Sequence, residues 1–333
     1  MQPLLIENNG VTLSGVSQGK GPLVIFWHGF PGLAYSWRYQ IPVLAAAGYT
    51  AVAFDSRGYG GSSRPLHTSD YSFSQQLGDL QAILNHMGHQ TCVLIGHDFG
   101  ANFSWHVAAR RPELLNAVVS VSVPYGMPLA GFGEQQPTQM YRQIAGEHFF
   151  HMHYFQTEGA AEKELEGRER EFLQKLFWAL SAEGQLLDWQ NYSADGTGYM
   201  DVLGDAPSLP WPWLSESEFD TYVNSYLTTP ANATFIGGLN AYRAMDENWR
   251  EQQAYANKTI DLPALFLAGE DDPVLALTPA EILIHMKSQI PNLQSPAYIP
   301  AAGHFVQQEQ PHQVNQLLIT FLASLDLSER LIH

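Results

Sequence analysis

The sequence of 333 residues is long enough for roughly two domains of typical size. Its 16 basic and 33 acidic residues give a formal net charge of −17 without a cluster of cations, which excludes nucleic-acid binding. A hydrophobic content of 45% with 15% charged residues excludes general disorder, and a single cysteine, Cys92, excludes a disulfide-stapled fold.

The beginning of the sequence has no feature of a targeting segment. Residues 1–10 contain neither a basic stretch nor an apolar stretch long enough for a signal peptide. The longest nearly apolar run, residues 43–54, is interrupted and is shorter than the roughly 20 residues that a membrane helix needs. We therefore expect a soluble, cytoplasmic protein without membrane insertion.

Short apolar runs that end in turns predict buried parallel strands. The first run leads into His28-Gly29-Phe30-Pro31, and the third leads into Gly96. Because the neighbours of Cys92 in the third run are apolar, its thiol is expected to be buried. The runs are Leu23–Trp27, 51–54, 92–95, 117–123, 264–267 and Ala297–Ile299.

Apolar residues at helical spacing lie between the second and third runs. Ser72 and Gln75 have the spacing of a capping box before this helix, and Gly88 follows its last turn. A second segment with helical periodicity follows Pro311. Strands that alternate with helices predict an α/β fold, in which helices flank a mostly parallel central sheet on both faces.

The alternation breaks between about residues 124 and 246, where aromatic-rich helical sequence replaces the strand signals. Acidic residues within 162–171 are expected to form the solvated face of one of these helices. A stretch rich in glycine and proline, 193–212, divides the insert. We predict a first core segment at 1–125, an inserted helical cap or lid domain at 126–246, and a second core segment at 247–333.

The sharpest local signal is Gly96-His97-Asp98-Phe99-Gly100, between a predicted strand and a predicted helix. It has the spacing of a nucleophile elbow, in which small residues permit a tight turn that lifts the central side chain above the sheet. The central residue is an aspartate and not a serine. A carboxylate is already ionised at neutral pH, so it needs no neighbouring base to become a nucleophile.

Two further motifs follow predicted strands, in the chain order nucleophile, acid, histidine that this arrangement uses. One is Gly269-Glu270-Asp271-Asp272, which holds three candidate acids, and the other contains His304. The carboxyl ends of parallel strands meet at one edge of a sheet, so the long separation in sequence is no obstacle. The backbone N–H groups of Phe30 and Phe99 are expected to form an oxyanion hole.

Over nearly the whole sequence, these motifs resemble the α/β-hydrolase fold and, within it, the soluble epoxide hydrolases. The most specific part is 239–249, which looks like the lid helix that bears one of two tyrosines holding the epoxide oxygen. The core motifs of the resemblance are His28-Gly29-Phe30-Pro31, Trp37-Arg38-Tyr39-Gln40, Asp55-Ser56-Arg57-Gly58-Tyr59-Gly60, Gly96-His97-Asp98-Phe99-Gly100 and Gly303-His304.

The resemblance implies a role for each matching residue. It makes Asp98 the nucleophile, His304 the base, Asp272 the acid that orients His304, and Tyr242 a donor to the epoxide oxygen. At the position of the second tyrosine this sequence has His151, and a neutral imidazole still donates one N–H. Tyr154, three residues later, is the alternative second donor.

The implied reaction converts a small apolar epoxide and water into a vicinal diol through a covalent ester on Asp98, without a cofactor or a metal. Three neighbouring histidines, 148, 151 and 153, would have to converge to bind a metal, and helical geometry aligns only the first two. The sequence leaves the oligomeric state open.

Two other functions have to be weighed. A haloalkane or haloacid dehalogenase uses the same three catalytic groups, but it needs N–H donors for the halide where this sequence has the rings of Phe30 and Phe99. A non-catalytic protein that binds a small ligand in the hydrolase pocket usually lacks a catalytic residue, and Asp98, Asp272 and His304 are all present. Both alternatives therefore rank below epoxide hydrolysis.

Overall fold

A computed structural model describes residues 1–184, 189–227, 234–256 and 258–327. The described residues form one eight-stranded sheet in the order β1-β2-β4-β3-β5-β6-β7-β8. All pairs from β4 to β8 are parallel, which confirms the predicted α/β class. The strands are β1 (Gln2–Asn8), β2 (Val11–Gln18), β3 (Leu23–Trp27), β4 (Thr50–Phe54), β5 (Cys92–His97), β6 (Leu115–Val121), β7 (Ala264–Gly269) and β8 (Ala297–Ile299).

The sequence analysis missed the first two strands, which form an antiparallel hairpin at one edge of the sheet. Asn9 and Gly10 connect them, and both have positive φ, of 48° and 83°. An Asn-Gly pair between two short alternating segments is a known hairpin signal and could have identified these strands. The apolar run Leu4-Leu5-Ile6 lies within β1, but Ile6 is the one residue of this edge strand that is buried.

Helices cover the sheet and fill the long connection between β6 and β7. The bounds of the α-helices in the described residues are α1 (Gln40–Ala46), α2 (Phe73–Met87), α3 (Phe99–Arg110), α4 (Pro137–Ala145), α5 (His151–Tyr154), α6 (Ala160–Leu165), α7 (Glu169–Leu180), α8 (Tyr199–Val202), α9 (Glu216–Leu227), α10 (Ile236–Arg243), α11 (Met245–Gln252), α12 (Pro273–Ala276), α13 (Ala280–Gln289), α14 (Val306–Glu309) and α15 (Pro311–Ala323).

The helix α2 has the predicted ends. The Ser72 hydroxyl accepts a hydrogen bond from the backbone N–H of Gln75, and Gly88 adopts the left-handed conformation after the last turn. Only this half of the predicted capping box is formed.

The core lies on both faces of the sheet, and Cys92 is buried within it as predicted. No helix in the described ranges has the length and apolar character needed to cross a bilayer.

The predicted lid, residues 126–246, contains α4 to α10, and its aromatic side chains form one buried cluster with Phe30, Tyr59 and Phe305 of the core segments. The boundaries 126 and 246 stay a prediction.

The expectation that acidic residues 162–171 form one solvated face is wrong. Gly167, at a φ of 73°, separates α6 from α7, and Glu169 is buried. Glu164 accepts hydrogen bonds from the first two N–H groups of α8, since unpaired N–H groups at a helix start favour a carboxylate.

Candidate active site

The turn between β5 and α3 presents Asp98 above the sheet. Asp98 has φ 54° and ψ −119°, a strained conformation for a residue with a side chain. The glycines on both sides are required by close packing, because a Cβ atom on Gly96 would lie 2.0 Å from the carbonyl oxygen of Gly100. A Cβ atom on Gly100 would lie 2.2 Å from the carbonyl oxygen of Trp27. These residues therefore form the tight elbow that the motif predicts.

Two backbone N–H groups contact the Asp98 carboxylate. The N–H of Phe30 donates to Asp98 Oδ1 over 2.8 Å, and the N–H of Phe99 helps to lower the pKa of the carboxyl group. A Cβ atom on Gly29 would lie 2.1 Å from the same Oδ1, so the loop after β3 can approach the carboxylate only with glycine at that position. The two N–H groups named in the sequence analysis therefore both act on the Asp98 carboxylate.

The acid and the histidine come from the loops that follow β7 and β8. His304 Nδ1 lies 3.2 Å from both carboxylate oxygens of Asp272, and His304 Nε2 lies 3.7 Å from Asp98 Oδ2. Asp272 Oδ1 also accepts the N–H of Val274, which fixes the acid at the start of α12. The structure thus brings Asp98, His304 and Asp272 together, with the imidazole between the two carboxylates.

Electrostatics in this group favour a charged imidazole in the free protein. Burial on its own would lower the pKa of His304, but the charges and hydrogen bonds of Asp272 and Asp98 outweigh it and raise the pKa to about 10. Burial on its own would raise the pKa of Asp98, yet His304 and the N–H of Phe99 hold that pKa below its ordinary value. Asp98 is therefore ionised and paired with an imidazolium.

The backbone of His304 is held from two sides. Its carbonyl oxygen accepts hydrogen bonds from His97 Nε2 over 2.7 Å and from the Ser122 hydroxyl over 3.1 Å, and its N–H donates to the carbonyl oxygen of Leu180. Burial lowers the pKa of His97 to about 4, so its ring is a neutral donor. The sequence analysis did not identify Ser122, whose positive φ of 74° is visible only in the structure.

A cavity lies between Asp98 and the lid. Asp98, His304, His151 and Tyr242 contribute its main polar groups, and most of the remaining lining is apolar. A mostly apolar cavity with a few convergent polar groups is typical of a site for a small apolar substrate. No tryptophan is among the described lining residues, so an indole donor for a halide is missing there.

The two lid donors named first in the sequence analysis lie in this cavity. The ring of Tyr242 packs edge-on against Phe99 at 4.8 Å and stands 5.8 Å from the ring of His151. Burial, and secondarily the charge of Asp98, raises the pKa of Tyr242 well above its ordinary value, so the hydroxyl keeps its proton. Burial lowers the pKa of His151 to about 4, so this imidazole is neutral and carries one N–H that can donate.

The alternative second donor, Tyr154, is not brought into the site. Its hydroxyl donates to Glu164 Oε2 over 2.8 Å, and it is absent from the cavity lining. This arrangement corrects the alternative, because a hydroxyl engaged by a lid carboxylate cannot also reach the cavity beside Asp98. The three neighbouring histidines form no metal-binding group within the part of the chain that the structure describes.

Comparisons with known proteins show which protein family and which solved structures this chain resembles. A family described as the alpha/beta hydrolase fold matches residues 22–311. Epoxide hydrolase A of Mycobacterium tuberculosis is 39% identical over 326 residues, which cover 97% of this chain and 98% of that protein. Epoxide hydrolase A from Mycobacterium thermoresistibile has a crystal structure that matches with a TM-score of 0.88 at 38% identity, covering 98% of this chain and 99% of that one. Potato (Solanum tuberosum) epoxide hydrolase I matches with a TM-score of 0.84 at 30% identity, covering 97% and 99%.

Proposed function

The chain belongs to the α/β-hydrolase fold family and is an epoxide hydrolase, and on this premise we propose that it opens small apolar epoxides through a covalent ester on Asp98. The observation that carries the proposal is that Asp98 faces His304 on one side and the donors Tyr242 and His151 across an apolar cavity on the other. Water is the second reactant, and a vicinal diol is the product.

In the first step, Asp98 Oδ2 attacks a ring carbon and the carbon–oxygen bond of the epoxide breaks. Oδ1 is the oxygen held by the Phe30 N–H, so it becomes the carbonyl oxygen of the ester. The departing alkoxide takes a proton from the lid donors, because an unprotonated alkoxide is a poor leaving group. The protonated state of Tyr242 and the neutral state of His151 supply one O–H and one N–H for this purpose.

In the second step, His304 removes a proton from water, and the resulting hydroxide attacks the ester carbonyl. Ester formation removes the negative charge of Asp98, which is one of the two charges that hold the proton on His304. The pKa of His304 therefore falls after the first step, and the imidazolium gives up its proton. That proton restores the hydroxyl group of Tyr242 and leaves a neutral imidazole that can act as a base. The N–H groups of Phe30 and Phe99 hold the oxyanion, each contributing about 3 kcal/mol. The diol leaves with the Oδ2 atom of Asp98 and with the proton that His304 took from water. The second proton of that water, now on the new Asp98 carboxyl group, passes to His304 and restores the ion pair.

A single turnover in heavy-oxygen water tests the covalent step. The first diol formed should carry an unlabelled oxygen from Asp98, while the label appears in the Asp98 carboxylate. The variant His304→Gln should accumulate the ester, visible by mass spectrometry as added mass on the peptide that contains Asp98. A diol that takes its oxygen directly from solvent, with no added mass on that peptide in the variant, contradicts the proposal. The cytoplasmic location and the independence from cofactors stay predictions from the sequence, which leaves the oligomeric state open.

A further inference from the structure

A carboxylate outside the reacting groups joins the lid to the loop that carries His304. Glu309 lies at the end of α14, and its Oε2 atom accepts the backbone N–H groups of Gly303 and Ala182, each over 2.9 Å. Its Oε1 atom accepts the N–H of Phe305 over 3.0 Å. The carboxylate therefore holds the residues on both sides of His304 and, at the same time, a residue of the lid.

The two segments that Glu309 joins are also in direct backbone contact. The N–H of His304 donates to the carbonyl oxygen of Leu180 over 2.8 Å, and Leu180 is the last residue of α7. A Cβ atom on Gly303 would lie 2.5 Å from the nitrogen of Ala182, so no side chain fits between the segments. Leu180 also lines the cavity, so this contact connects the wall of the substrate site with His304.

A carboxylate is the side chain that this arrangement of three N–H donors requires. Each carboxylate oxygen accepts more than one hydrogen bond, whereas an amide has one acceptor oxygen and a donating NH₂ group. A glutamine here would leave at least one of the N–H groups of Gly303 and Phe305 facing another donor. Burial raises the pKa of Glu309 to about 7, while the three N–H groups and the charge of His304 act in the opposite direction. The ionised form of Glu309 is thus stabilised by the same N–H groups that it holds in place.

We propose that Glu309 is a positioning residue, which fixes His304 for hydrolysis of the ester by fastening its loop to the end of α7. The inference rests on the proposed two-step reaction. Ring opening depends on Asp98 and on the lid donors, which stand on other elements. Hydrolysis depends on the position of the His304 ring relative to water and the ester. Loss of the Glu309 carboxylate therefore slows the second step and leaves the first nearly intact.

The test compares the two steps in the full-length chain carrying Glu309→Gln. Rapid quenching and mass spectrometry of the Asp98 peptide give the rate of ester formation and the fraction of ester at steady state. A misplaced catalytic group of this kind costs about 10- to 100-fold, so hydrolysis should slow by that factor, ester formation should change less than about threefold, and ester should accumulate. Glu309→Asp keeps the charge on a shorter side chain and should recover part of the hydrolysis rate.

Glu164→Gln is the matched control, because Glu164 also accepts three hydrogen bonds but does so within the lid. This variant should lose stability without accumulating ester. Two results would overturn the proposal. In the first, Glu309→Gln slows ester formation and ester hydrolysis equally. In the second, the variant loses stability while the ratio of the two rates stays unchanged. If the glutamine variant does not fold, Glu309→Asp carries the same measurement. Failure of the two-step reaction itself is a different result, since His304→Gln would then trap no ester.

Discussion

Replacing Tyr242 with phenylalanine tests how ring opening is assisted. The ring of Tyr242 packs against Phe99, and phenylalanine fills the same space, so the change removes little more than one hydroxyl group. A general acid in the transition state contributes about 10²- to 10⁴-fold in rate. Because the neutral His151 still donates one N–H, we expect the lower part of that range, about 10²- to 10³-fold, or about 3 to 4 kcal/mol in the barrier.

The assay is pre-steady-state formation of the ester on the Asp98 peptide, followed by its decay. Tyr242→Phe should slow formation by the stated factor and change decay by less than about threefold. Tyr154→Phe is the matched control, since it removes a hydroxyl that bonds to Glu164 outside the cavity, and it should leave the rate of formation unchanged. An unchanged rate of formation in Tyr242→Phe, or a large loss in Tyr154→Phe, would refute the assignment of the donors.

Two further changes test the acid and the buried charges. Asp272→Asn removes a charge that raises the pKa of His304, so burial dominates and the pKa of His304 falls. The plateau rate of ester hydrolysis should therefore drop. The acid limb of the pH profile of hydrolysis should move to lower pH. An unshifted acid limb would argue against this role. Asp79→Ala leaves the buried Arg57 without its two 2.7 Å hydrogen bonds to the carboxylate, and should lower the free energy of unfolding in urea by about 3 to 5 kcal/mol; a loss below about 1 kcal/mol would contradict the argument.

The parts of the fold that sequence alone predicts are those with a strong local pattern. Continuous apolar runs marked the six parallel strands. In β3 and β5 every position is buried, because these central strands are covered on both faces. The elbow was recognisable for a similar reason, since its close backbone approaches admit only glycine at positions 96 and 100. In the edge hairpin the apolar run of β1 has only three residues, Leu4-Leu5-Ile6, and the Asn9-Gly10 turn is the clearer signal.

The parts that sequence could not settle depend on contacts between distant segments. Local spacing does not decide between His151 and Tyr154, because the outcome depends on Glu164, which draws the Tyr154 hydroxyl away from the cavity. The contacts of Glu309 could not be predicted from the sequence either. In the sequence it is one acidic residue in a polar stretch, and only the folded chain brings the N–H of Ala182 within its reach. Carboxylates that fold inward look like surface residues when composition is the only guide.

The position of the helical insert, between the strand before Asp98 and the strands before Asp272 and His304, has a consequence for biosynthesis. The ribosome delivers the elbow early and the histidine only after the entire insert has been translated. On the proposed mechanism, an unfinished polypeptide would contain the nucleophile but not the histidine that hydrolyses the ester. On that mechanism, turnover requires that translation has passed all three groups.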